Sequence, residues 1–403
     1  MVLPTFSPSN RDFLQNPYPH FDDLCQHNPV HWIDDDTLVV ASYEGVRGIL
    51  SDRDYGVTAI PDLVEELALE HPEINALKLI EFARKSMVFT EGDDHRRLKK
   101  AIQGGFTARK AADQEAVISQ CAEEIVSDLP ESGVVDLIPK VAHHLSVLFL
   151  RRMFGLDASE AAKVENATKR IRTLLQPRSA TIRQLVSGVD ALNEGFTLFK
   201  QAAKQVEQSP FMQMYSEAMY RREVCEEEML MMCLMTYVAG HETSQALIGN
   251  ALVSLSGFCP EVLGDSVDRQ LSQKIVQETL RFEPPLQVTT RRVKRELSLN
   301  GHELQKGQMV LLLLGAANRD QRVFSDPHTF EIGREEARHL SFGVGLHTCL
   351  GSHFAKLEAE VMIWKLLSRY HIAPTTTALR RAWRPSSAFL RSAHTLRAEV
   401  RQR

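Results

Sequence analysis

The chain has 403 residues, of which 43% are hydrophobic and 25% charged, and its formal net charge is −5. An ordinary apolar content with 21 glycines and 17 prolines argues against wholesale disorder, and the slightly acidic balance argues against non-specific nucleic-acid binding. The six cysteines form no C-x-x-C pair, and six cysteines in a chain of this length do not make a disulfide scaffold.

Two short strands and a helix are predicted near the N-terminus, over VHWI, TLVVAS and YEGVRGILS. From about residue 60 to residue 290, apolar residues recur at three- and four-residue spacing, which predicts helices. The longest such stretch is EEEMLMMCLMTYVAGHETSQALIGNALVSLSGF, apolar nearly all round, as in a helix that crosses the middle of a protein.

The last third begins with LSLNGHELQKGQMVLLLLGAA, which predicts strands joined by turns at Gly301 and Gly307. A Gly-rich loop, one long helix and a short strand-like tail follow. No linker or repeat divides the sequence, so we predict a single domain over residues 1–403. Its fold class is mainly α with small β-sheets at the edge (α+β).

The N-terminal segment MVLPTFSPSNRDFLQNPYPHF has neither a basic start nor an apolar stretch, which argues against a signal peptide. No stretch of the sequence approaches the ~20 apolar residues of a membrane span. We therefore expect a cytoplasmic protein with no membrane partner, and we expect it to be a monomer.

The loop SFGVGLHTCLG places Cys349 where the last long helical pattern begins. A buried structural cysteine is the simplest interpretation. A catalytic nucleophile would need a partnered base, and His347 is badly placed for that role. A nucleotide-binding loop fails because Gly343 and Gly345 are followed by Thr348 rather than by a third glycine. The fourth interpretation is a thiolate that binds a metal. N–H groups at the start of the following helix would then lower the pKa of the Cys349 thiol, and the glycines would let a flat ligand lie close to the backbone.

This loop resembles the axial-ligand loop of the cytochrome P450 superfamily, F-G-x-G-x-H-x-C-x-G. Every fixed position is met, by Phe342, Gly343, Gly345, His347, Cys349 and Gly351. The resemblance implies that these residues surround haem b (iron protoporphyrin IX) and that Cys349 is the only protein ligand of its iron. A thiolate ligand pushes electron density onto iron and favours O–O cleavage. The family fold holds haem between the long central helix and the Cys loop with its helix.

The central helix carries AGHETS, which resembles the oxygen-binding motif of the family. The resemblance implies that Ala239 and Gly240 leave room for O₂, that Thr243 donates a hydrogen bond to it, and that Glu242 delivers protons. An adjacent acid and alcohol make chemical sense because O–O cleavage consumes protons. The alternative is a buried Thr243 bonded to its own helix with Glu242 in solvent. We interpret His241 as a packing or solvent residue.

Glu278 and Arg281 in ETLRFEPP lie three apart on one helical face, where an ordinary surface pair would contribute little. The stretch resembles the buried E-x-x-R ion pair of the family. Arg334, in DPHTFEIGR, matches the arginine that completes this structural network.

Other basic residues match positions at which related bacterial enzymes hold the haem propionates. These are His95, Arg291 and His347, each of which would make a charge-assisted hydrogen bond. Lys99 stands one turn after His95, where the family usually has arginine. Lysine keeps the charge but loses the bidentate geometry. TEGDDH also departs from the usual D-P-P-E-H.

The resemblance places the substrate on the distal side of the haem. The expected lining residues are Met235, Val238, Ala239, Val288, Thr289, Phe389 and Leu390. Plain core packing is the alternative for each of them. Residues 56–90 and 168–210 are expected to form a lid, and the second segment is rich in basic residues. Those residues would suit an acidic substrate or a carrier protein, or simply form a solvated helix face.

The resemblance implies a monooxygenase that uses O₂ to oxidise a small organic substrate, by hydroxylation, in bacterial secondary metabolism. Electrons would pass from NAD(P)H through a ferredoxin reductase and a ferredoxin, because no flavin or iron–sulfur domain is fused to the chain. Arg96, Lys100 and Lys356 are expected to point outward and steer an acidic ferredoxin. The alternative is a non-oxygenating haem-thiolate protein, either a ligand-binding sensor or a peroxide-driven or rearranging enzyme. The Glu242–Thr243 pair favours the monooxygenase.

Overall fold

The computed structural model describes residues 3–7, 9–57, 62, 66–67, 69, 80–81, 84–175, 180–205, 209–335, 338–375, 382–383 and 387–403. The chain divides into two compact units. The first unit comprises Met1–Tyr55, Ala111–Ser146 and Glu242–Arg403, and the second comprises Gly56–Lys110 and Val147–His241. The single domain over residues 1–403 stays a prediction. Much of the first expected lid segment, 56–90, lies outside the described residues.

Helices dominate the described part of the chain. In order they are α1 (Arg11–Gln15), α2 (Tyr18–His27), α3 (Tyr43–Ser51), α4 (Gly92–Ile102), α5 (Ala108–Asp113), α6 (Glu115–Ser127), α7 (His144–Phe154), α8 (Ala158–Ile171), α9 (Ile182–Ala202), α10 (Pro210–Tyr220), α11 (Glu226–Phe258), α12 (Pro260–Gly264), α13 (Arg269–Phe282), α14 (Leu314–Ala317) and α15 (Ser352–Arg369). A π-helix, Ile138–His143, leads into α7. Among these helices, none is long and apolar enough to span a lipid bilayer.

The strands are short, and most belong to the first unit. In order they are β1 (Val30–Trp32), β2 (Thr37–Val40), β3 (Tyr55–Gly56), β4 (Ser132–Asp136), β5 (Val288–Val293), β6 (Leu297–Leu299), β7 (His302–Leu304), β8 (Met309–Leu313), β9 (Tyr370–Pro374) and β10 (Arg397–Gln402). They form a five-stranded sheet in the order β1-β2-β8-β5-β3, a three-stranded sheet β4-β10-β9, and the hairpin β6-β7. The predicted fold class is confirmed.

Strands β2 and β8 are buried on both faces. They pair in parallel, with Val39 opposite Leu311 and Val40 opposite Leu312. Side chains of alternate residues in a strand point to opposite faces. Val40 and Leu312 accordingly pack in one apolar cluster, and Val39 and Leu311 in the other. A strand covered on both faces has to be apolar at every position, which explains the uninterrupted run MVLLLL.

The predicted turns are confirmed. In the β6-β7 hairpin, Asn300 and Gly301 both have positive φ, 50° and 83°, which a two-residue hairpin turn of the primed type requires. Gly307, ahead of β8, also has a positive φ of 97°.

The helix α11 has 33 residues, and its bounds match the apolar stretch predicted from the sequence. Its first turn holds the three glutamates 226–228, a favourable sign of charge at a helix N-terminus. Arg97 donates to the carboxylate of Glu228 through Nη1 at 3.0 Å and through Nη2 at 2.6 Å. The start of this helix is thereby fixed to α4 within the second unit.

In the second unit, α8 and α9 pack on each other, and both begin with a capping box. Arg170 on α8 binds the carboxylate of Glu194 on α9 at 2.8 Å, and Lys169 binds Glu165 at 2.7 Å. These two cations of the basic 168–210 segment are thus neutralised locally. Their pairing supports the interpretation of this segment as an ordinary polar helix face.

Candidate active site

The loop that precedes α15 holds Cys349 through its own backbone. The N–H of Cys349 donates to the carbonyl of Phe342 at 2.8 Å. Thr348 donates twice to the carbonyl of Gly345, from its N–H at 3.3 Å and from its hydroxyl at 2.7 Å. These bonds close residues 342–349 into a compact loop with the cysteine at its end.

Two glycines of this loop are needed for their backbone conformation. Gly343 has φ 64° and Gly345 has φ 81°, in the region that side chains with a Cβ rarely adopt. A Cβ on Gly345 would also lie only 2.8 Å from the carbonyl oxygen of Leu50. Gly351 differs from both, because its φ is −80° and a Cβ there would meet no atom of the described chain within 4 Å.

The environment of the Cys349 thiol fits a haem thiolate. Solvent reaches the side chain, yet enough of the chain surrounds it that loss of hydration raises the pKa of the thiol. The N–H of Gly351, at the start of α15, opposes this effect and lowers the pKa. An accessible sulfur in low-dielectric surroundings with an N–H directed at it is the donor that a haem iron requires. The residues present therefore fit haem.

The predicted ion-pair network is confirmed. Arg281 binds Glu278 through two nitrogens, at 2.7 and 2.9 Å, and the side chains are 1% and 3% exposed. Arg334 completes the network, with Nε 3.5 Å from the same carboxylate. Arg281 also donates to the carbonyls of Pro327 and Thr329 at 3.0 Å. Buried charges need such additional hydrogen bonds to offset their lost hydration.

Asn318 connects this network to the Cys loop, a role that sequence reasoning missed. Its Nδ2 donates to the Ser341 hydroxyl at 2.8 Å, and its Oδ1 accepts from the N–H of Leu340 at 2.7 Å. The Ser341 hydroxyl in turn donates to the carbonyl of Leu280 on α13. The helix that carries the ion pair therefore holds the entrance of the loop.

Other predicted haem contacts of the first unit are Arg291, His347 and Phe342. Arg291 lies on β5, is buried, and donates through Nη1 to the carbonyl of Thr290 at 2.8 Å. His347 and Phe342 are half-buried in the Cys loop, and the Phe342 ring centroid lies 5.8 Å from that of His339. A guanidinium buried on a strand has little rotational freedom, so Arg291 presents a fixed charge.

The middle of α11 has a face that solvent reaches. Val238 and Glu242 are half-buried, as is Thr243, while Ala239 is exposed. These residues recur at the spacing of one helical face. The neighbouring Leu234 and Leu247 are buried. The motif residues thus lie on a face that a ligand could reach, rather than in closed core.

Sequence reasoning also missed the pair Ser244–Glu358. The hydroxyl of Ser244 donates to Oε1 of Glu358 at 3.3 Å, and Oε2 of this buried carboxyl has no hydrogen-bond partner among the described residues. Burial raises the pKa of Glu358 well above its usual range, and the Ser244 bond lowers it only in part. The sequence could have indicated this buried carboxyl, because Glu358 is a charged residue within the apolar stripe of α15 that contains Phe354 and Met362.

The predicted orientation of α4 is confirmed within the second unit. His95 is buried and Lys99 half-buried, whereas Arg96 and Lys100 are exposed. The Nδ1–H of His95 donates to the carbonyl of Met87 at 3.1 Å in the tautomer this contact favours. That bond sets the direction in which Nε2 points.

His241 and Gly240 are two residues of the α11 motif that belong to the second unit. His241 is buried with its ring centroid 6.2 Å from that of Tyr237, which confirms the packing interpretation. A Cβ on Gly240 would lie 3.5 Å from the nearest atom of Leu150, an ordinary contact. The protein neighbours therefore do not themselves require glycine at position 240.

The expected substrate residues fall into two groups. Met235 and Val288 are buried, and Val288 belongs to the apolar cluster on one face of the five-stranded sheet. Core packing is therefore the better-supported interpretation for Val288. The remaining residues can be reached by solvent, since they are half-buried or exposed: Val238, Ala239, Thr289, Phe389 and Leu390.

Comparisons with known proteins agree with this geometry. The family model "Cytochrome P450" matches residues 263–395. The chain is 29% identical to "Biotin biosynthesis cytochrome P450" of Bacillus subtilis over 371 residues, 90% of this chain and 91% of the relative. It is 32% identical to "Cytochrome P450 107B1" of Saccharopolyspora erythraea over 287 residues, 70% of this chain and 69% of the relative.

A third relative and two solved structures extend the comparison. "6-Deoxyerythronolide B hydroxylase" of Saccharopolyspora erythraea is 26% identical over 363 residues, 88% of this chain and 87% of the relative. The crystal structure of CalO2 has a TM-score of 0.87 at 25% identity, and 98% of each chain is covered. P450BioI in complex with an acyl carrier protein has a TM-score of 0.84 at 26% identity, with 96% and 98% covered. The chain therefore belongs to the cytochrome P450 family and is a monooxygenase of that family.

Proposed function

We propose that this enzyme binds haem b through Cys349 and hydroxylates a small organic substrate of bacterial secondary metabolism. The observation that carries the proposal is the loop itself, in which an accessible thiol has the Gly351 N–H directed at its sulfur. The relative named as a hydroxylase supports the reaction class. Reaction of a C–H bond with O₂, two electrons and two protons gives the hydroxylated product and water.

When bound, haem supplies the centre at which dioxygen is activated. In this proposal the Cys349 thiolate binds the iron, and the Gly351 N–H stabilises negative charge on Sγ. Gly343 and Gly345 permit the backbone conformation of the loop that holds Cys349, because both have positive φ. Asn318 holds the loop entrance, so the sulfur keeps its position without the ligand.

Basic residues are proposed to bind the two haem carboxylates. In the first unit, Arg291 and His347 would make charge-assisted hydrogen bonds. In the second unit the proposed contacts are His95, whose ring the Met87 carbonyl orients, and Lys99 as a point charge. Each of these side chains is buried or half-buried, so its interaction with a carboxylate would be weakly screened.

The reaction consumes two protons, and α11 and α15 offer groups that can hold them. We propose that the Thr243 hydroxyl orients O₂ and that the half-buried Glu242 carboxyl exchanges protons with solvent. Burial raises the pKa of Glu358 and so favours its protonated form, and Ser244, the residue after Thr243, donates a hydrogen bond to that carboxyl. A proton store in the protein interior would limit the number of protons that have to come from bulk water.

Electrons are proposed to come from NAD(P)H through a ferredoxin reductase and a ferredoxin. The exposed Lys100 supports this, because an exposed cation attracts an acidic partner, whereas the exposed Arg96 is paired with Asp93. A carrier-bound substrate, as in the complex of P450BioI with a ligated acyl carrier protein, is less well supported for this chain. Lys169 and Arg170, two cations that could serve such a carrier, are paired with glutamates of their own unit. A monomer in the cytoplasm stays our expectation from the sequence.

The test begins with the purified protein loaded with haem. The extracted pigment should be protoporphyrin IX, and the ferrous–CO complex should show the red-shifted Soret band of thiolate ligation. A compound library is then screened for Soret shifts, and hits are incubated with isotope-labelled O₂, ferredoxin, reductase and NAD(P)H. One labelled oxygen atom in the product is expected. Absence of the thiolate band, or a product labelled only when peroxide replaces O₂, would overturn the proposal.

A further inference from the structure

We propose that Asn250, Glu283 and Arg391 are positioning residues that fix the substrate-facing C-terminal tail, residues 387–393, against residues 284–288. The inference rests on the proposed function, which places Phe389 and Leu390 at the substrate. All of these residues belong to the first unit. The position of the tail is thus set by polar groups that are not among the proposed substrate or haem contacts.

Asn250 is the centre of this arrangement. It lies on α11, is 0% exposed, and stands seven positions after Thr243. Its Nδ2 donates to the carbonyl of Glu283 at 2.9 Å and to that of Arg391 at 3.0 Å, and its Oδ1 accepts from the N–H of Ala393 at 3.3 Å. One amide therefore joins the central helix, the end of α13 and the tail. A side chain of this size needs both a donor and an acceptor to make these bonds, so asparagine is specifically required.

The tail is also paired with the segment ahead of β5. The N–H of Gln287 donates to the carbonyl of Phe389 at 2.8 Å, and the N–H of Arg391 donates to the carbonyl of Pro285 at 2.7 Å. Leu286 and Leu390 form an antiparallel bridge between these bonds. The segment continues directly into β5, which carries the proposed site residues Thr289 and Arg291. A shift of the tail would therefore also move that strand.

A buried ion pair completes the attachment. The Nε of Arg391 lies 2.6 Å from Oε1 of Glu283, and their side chains are 8% and 7% exposed. The Tyr18 hydroxyl donates to the same oxygen at 2.6 Å. Arg319 lies 4.0 Å from the other oxygen, and the Arg391 guanidinium lies 4.0 Å from the centroid of the Trp383 ring. Removal of one member would leave a buried charge, which is strongly destabilising.

The backbone of the tail is hydrogen-bonded to other segments, while two of its side chains are not fully buried. This difference indicates that the polar contacts position the tail as well as stabilise it. The backbone of the tail is held by hydrogen bonds to two other segments, α11 and residues 285–287, whereas the side chains of Phe389 and Leu390 are half-buried. A fully satisfied polar network selects one arrangement, while apolar contacts tolerate several. Phe389 packs against the apolar cluster that contains Val288, so the fixed backbone of the tail sets the position of that side chain.

The test uses Asn250→Asp in the full-length haem protein. The carboxylate keeps the shape of the amide but turns both donors into an acceptor that faces two carbonyls. Hydrogen–deuterium exchange of backbone amides in residues 387–396 should accelerate about ten-fold. The reason is that the free energy of opening the tail falls by roughly the contribution of one hydrogen bond. Exchange in the centre of α13 should not change. Ser256→Ala is the matched control, since this hydroxyl on the same helix donates to the Leu252 carbonyl of its own turn.

A second measurement separates positioning from stability. Imidazole and econazole are titrated against the ferric haem by their Soret shifts. Imidazole is too small to reach the tail, so its Kd should stay within about two-fold, while econazole should weaken about five-fold. General destabilisation would not change the ratio of the two constants. If Asn250→Asp does not fold, Asn250→Ala is expected to give the same ratio without an added charge.

Two results would overturn the inference. One is tail exchange equal to that of the wild type. The other is faster exchange with an unchanged affinity ratio, which would mean that the tail does not shape the pocket. A wild-type protein without the thiolate Soret band would instead refute the proposed function, whatever the exchange of the tail.

Discussion

The hydroxyl of Ser244 lies 3.3 Å from Oε1 of Glu358 and connects the central helix α11 to α15, the helix that follows Cys349. Glu358 is 4% exposed, and burial raises its pKa well above its usual range. Burial therefore favours the protonated, uncharged form of this carboxyl, which accepts a hydrogen bond from the Ser244 hydroxyl. It stands beside the residue that the motif assigns to dioxygen.

Glu358→Gln should alter the pH dependence of stability. Because the pKa is raised on folding, the native protein binds this proton more tightly than the unfolded chain does. Its free energy of unfolding therefore falls as pH rises above the ordinary glutamate range, by up to about 1.4 kcal/mol per pH unit. Glutamine removes the titrating group, so the stability of the variant should increase relative to that of the wild type as pH rises above the ordinary glutamate range. Denaturant unfolding at several pH values measures this, with the exposed Glu399→Gln as control. A stability difference that is constant with pH would contradict the assignment.

Cys349→His should keep the fold but change the ligand of the iron. Histidine can bind haem iron through a neutral nitrogen, so some haem should be retained. The ferrous–CO complex should lose the red-shifted Soret band because no thiolate remains. Persistence of that band in the variant would show that another group is the ligand.

Thr243→Ala should uncouple electron consumption from product formation. Loss of the hydroxyl misplaces the proton delivered to oxygen, so hydrogen peroxide should form in place of product. Substrate-induced Soret shifts and the rate of reduction should stay nearly unchanged. Product, NAD(P)H and peroxide are measured together, and Thr243→Ser, which keeps the hydroxyl, should stay coupled. Normal coupling in the alanine variant would mean that Thr243 lacks this role or that a substrate hydroxyl replaces it.

His339 should make the loop region sensitive to acid. Burial, with smaller contributions from Lys356 and Arg281, lowers its pKa to about 4, and its Nδ1 accepts from the N–H of Ser341 at 3.3 Å. The unfolded chain binds a proton at higher pH than the native protein does. Stability should therefore fall as pH decreases from about 6.5 to about 4, by up to roughly 1.4 kcal/mol per pH unit. Asn in place of His339 keeps an acceptor without titrating, so the variant should lose less stability between pH 6.5 and pH 5. Parallel pH profiles of the two proteins would contradict this.

Charge reversal should slow reduction by ferredoxin. Arg96 and Lys100 are exposed and Lys356 is half-buried, so their replacement by Glu should weaken attraction of an acidic partner. Stopped-flow reduction of the wild type should slow as salt increases, and the triple variant should be slower at low salt. Arg397→Glu with Arg401→Glu on β10 is the control, with no effect expected. Reduction indifferent to both salt and the triple reversal would place the partner elsewhere on the surface.

Local pattern explains what could be predicted. The bounds of α11 follow from an apolar run that no proline interrupts, and the burial of β8 on both faces follows from its uninterrupted run of apolar residues. The inward His95 and outward Arg96 follow from helical periodicity. In the Cys loop, Gly343 and Gly345 meet a local requirement, because both have positive φ. In all of these cases the physical cause acts over a few neighbouring residues.

The sequence by itself therefore determined the fold class, and the resemblance of its motifs to the family added the Cys349 loop and the buried Glu278–Arg281 pair. Only the tertiary structure decided the roles of Asn250, Glu358 and Asn318. The bond from Asn250 to Arg391 spans 141 positions and that from Ser244 to Glu358 spans 114. An asparagine or glutamate has the same local preferences whether its partner is water or a distant carbonyl. Its function is fixed only when folding removes the water and brings the partner to it.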